Sequence, residues 1–347
     1  MIEEARKIVM LIPSFFPNRM GGSEIQALRL SKKLITQGCD VIVFTLKTRG
    51  LPKYENIEGV NVIRVSGNLL TIPEGIQFVQ KRFPLLQRKV KQEVLEEYGR
   101  PNGTASFLLA RIFYGLCLKE IRQHKIRPSI IQINTVEWVA ISGALLAQKL
   151  ETPLLIKDST VNGLAKLKLM PFVGRCTRWI IDNSSFVAIS SIIKKQLLAE
   201  GVHSQRIFTI SNGVEIIECL NTRVNVIANS CLFVGNLYQE PAKGFSILLD
   251  AWSLVVKDIK TAVLNVVGDG DIDRYKQLIK STALEGSVVF WGKQSDLKRF
   301  YTSNEIFVLS SIREGMSNSL IEAMNFALPS SLAAVSASPA HRESYFL

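Results

Sequence analysis

Residues 7–44 of this chain read KIVMLIPSFFPNRMGGSEIQALRLSKKLITQGCDVIVF. An apolar strand, 7–12, leads into a loop rich in glycine and proline. A helix with apolar residues at helical spacing follows, and Ser23 with Gln26 forms a capping-box pair at its start. Residues 41–44 then make a second buried strand. Strand, glycine loop, helix and strand in this order predict the opening of a doubly wound α/β sheet.

The same alternation continues along the chain and predicts mostly parallel sheets. The alternation is interrupted at 211–214, a stretch of turn-forming residues, and resumes after this stretch. The sequence therefore predicts two Rossmann-like domains, 1–211 and 212–347, with a hinge between them. Further strands are predicted at 60–63, 129–133, 153–156, 186–189, 207–210, 231–234, 262–267, 288–292 and 306–309.

Charge is divided unevenly between these halves. The net charge of the 347 residues is +12. Residues 1–210 hold 30 Lys and Arg against 16 Asp and Glu, whereas 211–347 hold 12 against 14. One basic stretch, 81–91, is interleaved with apolar residues, and a second lies at 119–127. The first, amphipathic stretch is either a surface for an anionic membrane or a solvated helix face. No motif supports nucleic-acid binding.

Composition narrows the class of protein further. A hydrophobic content of 47% is typical of a soluble globular protein. Neither a signal peptide nor a membrane-length apolar run is present, so the expected location is cytoplasmic. The five cysteines are scattered and read as reduced thiols, and the three histidines are too far apart to suggest a metal site.

Glycines follow four strands of the second half: Gly235, Gly268, Gly292 and Gly315. In open α/β sheets, ligands bind beyond the carboxyl ends of the strands, where these four residues are expected to lie. The sequence therefore predicts a ligand site at this edge of the second sheet.

The last of these loops carries two carboxylates eight positions apart, Glu314 and Glu322. Asn318 or Ser319 is expected to cap the helix that follows, whose first N–H groups suit a phosphate. Glu314 at the loop and Glu322 one turn inside the helix can accept hydrogen bonds from hydroxyl groups. The alternative is a pair of solvated charges without a ligand.

Taken together, these motifs resemble the retaining glycosyltransferases of family four, which have the two-domain GT-B fold with a cleft between two Rossmann-like domains. The likeness runs through nearly the whole chain. It rests on residues 21–24 (GGSE), 212–214 (NGV), 233–236 (FVGN) with Lys243-Gly244, 267–270 (VGDG), and the Glu-x7-Glu segment.

The resemblance implies a role for each matching residue. Lys243 is expected to neutralise the donor diphosphate, Glu322 to bind the nucleotide ribose, and Glu314 to bind the transferred sugar as the catalytic residue. Gly22 lets the N-terminal loop approach the phosphates. The donor is expected to be UDP- or GDP-linked, and no metal is expected. The complete donor-binding set is Gly21, Gly22, Asn236, Lys243, Gly268, Gly292, Gly315, Met316, Ser317, Asn318, Ser319 and Glu322.

Three departures from the family pattern stand out. Asn236 replaces an arginine that often contacts phosphate. Asn134-Thr135 and 157–159 (KDS) occupy the acceptor positions where many members have a histidine. From residue 330, directly after Pro329, the sequence no longer matches the family pattern. This mismatch suggests a frameshift or truncation that leaves the second domain incomplete. An uninterrupted reading frame in the encoding nucleotide sequence, with no family-like sequence in the other frames downstream, would contradict this hypothesis.

The sequence thus indicates transfer of a sugar from a nucleotide donor, with retention at the anomeric carbon, to a glycan or lipid-linked acceptor in surface-polysaccharide assembly. Two alternatives stay open: an inactive nucleotide-binding remnant, and a sugar-nucleotide epimerase on the same fold. The donor sugar, the base, the acceptor and the oligomeric state are not readable from the sequence.

Overall fold

The computed structural model describes residues 5–17, 21–66, 104–159, 161–170, 172–216, 225–239, 242–280, 282–312 and 314–333. Two compact units divide the chain between Ser211 and Asn212. The basic stretch 81–91, predicted to be amphipathic, lies outside the described residues.

Unit 1 is built on an eight-stranded sheet with the order β3-β4-β2-β1-β5-β6-β7-β8. All its neighbouring strands are parallel except β3, which runs antiparallel to β4. The strands are β1 (Lys7–Leu11), β2 (Asp40–Leu46), β3 (Tyr54–Ile57), β4 (Val60–Val65), β5 (Ile130–Ile133), β6 (Leu154–Asp158), β7 (Ser185–Ala188) and β8 (Ile207–Thr209). The helices are α1 (Gly22–Thr36), α2 (Thr104–Gln123), α3 (Trp138–Leu150), α4 (Gly163–Lys168), α5 (Gly174–Asn183) and α6 (Ser191–Ala199).

Helices pack on both faces of the unit 1 sheet. Ala27 and Leu28 of α1 join Met10 and Val43 in one apolar cluster on the first face. On the other face, a Cβ at Gly143 of α3 would lie 2.3 Å from the Ile133 side chain, so this glycine lets the helix approach the strand closely.

Unit 2 contains a five-stranded parallel sheet with the order β11-β10-β9-β12-β13. Its two faces are covered by separate apolar clusters, one around Phe245 and Trp252 and the other around Tyr301 and Phe307. The strands are β9 (Ser230–Val234), β10 (Val263–Val267), β11 (Val288–Gly292), β12 (Ile306–Leu309) and β13 (Ser330–Leu332). The helices are α7 (Phe245–Asp258), α8 (Ile272–Lys280), α9 (Lys298–Ser303) and α10 (Asn318–Asn325).

The predicted doubly wound α/β architecture is confirmed, and two strands add to it. Strand β3 escaped prediction because 54–57 (YENI) is polar and alternates between exposed and half-buried residues. Strand β13 lies where the sequence was expected to leave the family pattern. It pairs with β12 through Phe307 and Ser330, but all three of its residues are exposed, as in a short edge strand.

The start of α1 differs from the prediction. The helix begins at Gly22 with Gly21 as its N-cap, so Ser23 is already a helical residue. Its hydroxyl donates to Glu24 Oε2 (2.9 Å), and Ser23 is not in the N-cap position that a capping box with Gln26 requires. The prediction of the cap residue was therefore wrong, while the helix itself lies where it was expected.

Candidate functional site

An ion pair joins the two charged residues that follow β9 and β12. Lys243 Nζ lies 2.9 Å from Glu314 Oε2 and 3.2 Å from Oε1. The two side chains are only 18% and 14% exposed. The Lys243 ammonium group donates to both carboxylate oxygens of Glu314. A positive and a negative charge therefore lie next to each other at the carboxyl edge of the sheet.

The backbone fastens these two loops to each other. Ile312 N donates to Ala242 O (2.8 Å), and Ser310 Oγ donates to Lys243 O (2.9 Å). Gly244 has φ +60, and a Cβ there would lie 2.1 Å from Ser310 O. Because a side chain at Gly244 would collide with the facing backbone, glycine is required for the approach that brings Lys243 to Glu314.

The amino end of α10 lies directly beyond Glu314. Ser317 is its N-cap, and Ser317 Oγ accepts a hydrogen bond from Leu320 N (3.3 Å). The prediction that Asn318 or Ser319 caps the helix was wrong by one or two positions; Ser319 Oγ instead lies 3.1 Å from Ser317 Oγ. The first turn of α10 carries the positive end of the helix dipole, a favourable place for an anion.

Asn212 contacts this loop, although the sequence placed it only in the hinge. Its Nδ2 donates to Asn318 Oδ1 (2.8 Å), and its backbone N donates to Met316 Sδ (3.3 Å). Met316 is buried. Asn212 Oδ1 is buried without a hydrogen-bond partner in the described part of the chain. The only signal for this contact in the sequence is the turn-forming segment 211–214.

Glu322 is oriented by a residue that the sequence did not single out. Tyr301 OH donates to Glu322 Oε2 (3.0 Å). The Tyr301 ring is 1% exposed and stacks on Phe326 with ring centroids 5.3 Å apart. Since Tyr301 reads as one more aromatic residue of a core helix, no sequence signal distinguished it.

Three of the predicted glycines lie side by side along the carboxyl edge. Gly268 N donates to Gly292 O (2.9 Å), and a Cβ on Gly268 would lie 1.8 Å from Gly235 O. Asn236, directly after Gly235, uses its Oδ1 to accept from Tyr238 N (2.9 Å). The glycines bring three loops together, and the Asn236 side chain closes a local turn.

Two further candidates, Gly21 and Gly22, belong to unit 1. Gly21 lies against the buried Glu24: a Cβ on Gly21 would lie 2.5 Å from Glu24 Oε2. The Glu24 carboxylate is held by the hydroxyl groups of Ser14 (3.0 Å) and Ser23 (2.9 Å). Gly315 lies in the loop between Glu314 and Met316, within unit 2.

A metal site and a membrane-spanning helix are both absent from the residues that the structure describes. In the described ranges, no three His, Cys, Asp or Glu residues are grouped so that they could hold a metal ion. No helix that the structure describes is long and apolar enough to cross a membrane. Cys39, Cys117, Cys176 and Cys231 are free thiols, and burial raises the pKa of Cys176 and of Cys231 to about 11.

Two family descriptions match the sequence. The family "Glycosyltransferase Family 4" matches residues 20–217, more than half of the chain. The family "Glycosyl transferases group 1" matches residues 228–343, and this match continues past Pro329.

Curated relatives match shorter stretches. The chain is 32% identical over 161 residues to an uncharacterized glycosyltransferase of Haemophilus influenzae, covering 44% of each chain. It is 28% identical over 149 residues to the lipopolysaccharide 1,6-galactosyltransferase of Salmonella typhimurium, covering 41% of each. The aligned segments therefore span less than half the length of these relatives.

Among solved structures, Anabaena Alr3699/HepE in complex with UDP and glucose is similar in fold. The TM-score is 0.60 at 14% sequence identity, covering 96% of this chain and 82% of the other. This likeness confirms the predicted GT-B fold.

Proposed function

This chain belongs to glycosyltransferase family 4, and we propose that it transfers a hexosyl group from a UDP- or GDP-linked donor to a glycan or lipid-linked acceptor, with retention of the anomeric configuration. The proposed setting is surface-polysaccharide assembly. The names of the Salmonella relative and of an amylovoran biosynthesis glycosyltransferase of Erwinia amylovora, 35% identical over 102 residues, support this setting.

The observation that carries the proposal is the position of the Lys243–Glu314 pair beside the amino end of α10. Two sources of positive charge, an ammonium group and a helix dipole, meet there at the carboxyl edge of a parallel sheet. This positive charge can stabilise the negatively charged diphosphate of a nucleotide sugar. The carboxylates of Glu314 and Glu322 can accept hydrogen bonds from the hydroxyl groups of the sugar and of the ribose, which lie on either side of the diphosphate.

In this arrangement each residue has a separate task. Lys243 neutralises the diphosphate, Glu314 binds the hydroxyl groups of the transferred sugar, and Glu322, oriented by Tyr301, binds the ribose. In the structure, Lys243 forms an ion pair with Glu314. Donor binding therefore requires Lys243 to turn part of its hydrogen bonding from the carboxylate to phosphate oxygens.

The reaction proposed for this site needs no protein base. The bond between the anomeric carbon and the donor phosphate breaks, and a bond to the acceptor oxygen forms on the same face of the sugar. The departing phosphate oxygen takes the acceptor proton. The protein contributes positioning and stabilisation of the leaving-group charge, through Lys243 and the amino end of α10.

Residues 1–211 are proposed to receive the acceptor and residues 212–347 the nucleotide sugar. The excess of basic residues in 1–210 suits an acceptor at an anionic membrane surface. Flotation with liposomes of anionic lipid tests this part, and absence of binding at low salt would remove it.

The function is tested with a panel of UDP- and GDP-sugars and mass spectrometry of the products. We expect one donor to be bound and consumed without added metal and in the presence of EDTA. Glu322→Ala and Lys243→Ala should lose transfer while keeping the circular dichroism spectrum of the parent. Full activity in both variants would refute the assigned roles, and an NMR assignment of the product anomer tests retention.

A further inference from the structure

Lys157 is a half-buried lysine without a partner among the described residues, in contrast to the ion-paired lysines elsewhere in the fold. It occupies the fourth position of β6. No described residue forms a hydrogen bond or an ion pair with its ammonium group, whereas Lys53, Lys168 and Lys243 each pair with a glutamate. Burial lowers the pKa of Lys157 to about 8, because the charged form is poorly solvated there.

Extending the strand register one position beyond its last pair, Ile133 with Ile156, brings Asn134 level with Lys157. Gln132 of β5 pairs with Leu155 of β6, and Asn134 and Lys157 each lie two residues further along. Side chains two residues apart on a strand share a face. The hydrogen bond from Gln132 Nε2 to Asn134 Oδ1 (2.9 Å) confirms that Asn134 continues this face beyond the end of β5.

The hydrogen bonds of Asn134 leave one of its groups available. Its Oδ1 accepts from Gln132, and its backbone carbonyl accepts from Ser159 Oγ (3.2 Å). The Nδ2 group has no acceptor among the described residues. Asn134 Nδ2 and Lys157 Nζ are thus two donors on the same face at the carboxyl edge of the unit 1 sheet.

Nearby carboxylates do not neutralise this pair. Asp158, the next residue of β6, points to the opposite face because successive strand residues alternate. Glu24 accepts from Ser14 and Ser23 and forms no ion pair with Lys157 in the described structure. A positive charge with a donor on the same face and no ion-pair partner among the described residues is the arrangement that a bound oxyanion completes.

We propose that Lys157 and Asn134 bind an oxyanion, a phosphate or a carboxylate, carried by the acceptor sugar. The assignment to the acceptor rests on the proposed function, in which residues 1–211 receive that substrate. The net excess of 14 basic residues in 1–210, 30 against 16, supports the choice, since it attracts acidic ligands to this unit.

The experiment uses full-length protein with ¹³Cε-labelled lysine, saturated with UDP so that the donor site is occupied. Glucose 6-phosphate, glucuronate, glucose and inorganic phosphate are titrated separately. We expect at least one of the two anionic sugars to move the Lys157 signal saturably, with glucose and inorganic phosphate at least about tenfold weaker. The Lys157 signal is assigned with Lys157→Arg.

Variants separate the charge of Lys157 from its packing. Lys157→Gln should weaken binding of the anionic sugar about tenfold or more, Lys157→Arg should restore most of it, and the exposed control Lys149→Gln should bind as the parent does. Asn134→Ala should weaken binding by a smaller factor.

Several results would overturn the inference: anionic sugars that bind no better than glucose, Lys157→Gln binding them as the parent does, or inorganic phosphate binding as tightly as the sugar phosphate. A parallel titration with UDP-sugars reports on the proposed function separately. Failure of the parent to bind any nucleotide sugar would contradict that function, whereas normal donor binding without selectivity for anionic sugars would contradict only the Lys157 inference.

Discussion

Lys243 Nζ lies 2.9 Å from Glu314 Oε2, across 71 positions of sequence, and both side chains are largely buried. The two residues end up together because β9 and β12 are neighbours in the sheet and Gly244 allows their loops to touch. Either residue alone would be a partly buried, unpaired charge, which is costly.

Lys243→Ala should therefore affect both binding and stability. Loss of the charge that meets the diphosphate should weaken donor binding at least about tenfold, and Glu314 left unpaired should cost about 1–3 kcal/mol of unfolding free energy. Calorimetric titration with the donor and thermal melting measure the two effects. The exposed Lys257→Ala on α7 is the control, and Lys243→Ala with Glu314→Gln should recover part of the stability but not the binding.

Substitution of Gly268 and of Gly286 by alanine separates the effect of backbone strain on stability from the effect of steric overlap. Both have positive φ, +150 and +84, but a Cβ at Gly268 would lie 1.8 Å from Gly235 O, whereas a Cβ at Gly286 meets nothing within 4 Å. Gly286→Ala should lower the free energy of unfolding by about 1 kcal/mol, and Gly268→Ala should lower it by at least about 3 kcal/mol more. Equal midpoints of thermal unfolding would contradict the packing of the glycine edge.

Tyr301→Phe removes only the hydroxyl group that holds Glu322. The stack on Phe326 does not need that hydroxyl, so unfolding should become easier by about 1 kcal/mol only. Donor affinity should fall several-fold because Glu322 loses the hydrogen bond from Tyr301 that helps to orient its carboxylate. Tyr114→Phe, whose hydroxyl group has no partner in the described part of the chain, is the control. Unchanged donor affinity in Tyr301→Phe would show that Glu322 needs no such support.

Lys157→Met should stabilise the protein near neutral pH. In the folded chain the pKa of Lys157 is about 8, below its ordinary value of 10.5. Below pH 8 the folded protein carries the full cost of burying the charge; between about 8 and 10.5 the unfolded chain binds more protons, so the stability of the parent rises with pH. The variant should therefore gain about 1–3 kcal/mol at pH 7, and the gain should shrink towards pH 10.5.

Denaturant unfolding of the parent and Lys157→Met at several pH values measures this difference. Lys149→Met, at an exposed position of α3, should show no such pH dependence. A gain that stays constant from pH 7 to 10 would mean that the Lys157 charge is well solvated in the folded protein. That result would also weaken the case for an oxyanion site.

Prediction from sequence succeeded where a pattern is local. Apolar runs such as 231–234 and the glycines after them are short-range signals, and the observed strands follow them closely. The N-cap of α10 was misplaced because Ser317, Asn318 and Ser319 all have capping side chains and only the helix start distinguishes them. Strand β3 was missed because an edge strand with polar residues carries little periodic signal.

The amino-acid sequence by itself determined the α/β alternation, the glycine turns and the residue types available at the carboxyl edges, because backbone preference and hydrophobic period act over a few residues. Only the tertiary structure decided which of these residues meet. The contacts of Lys243 with Glu314, of Tyr301 with Glu322 and of Asn212 with Asn318 join positions 71, 21 and 106 residues apart. Their partners are set by strand order and helix packing, which no single segment encodes.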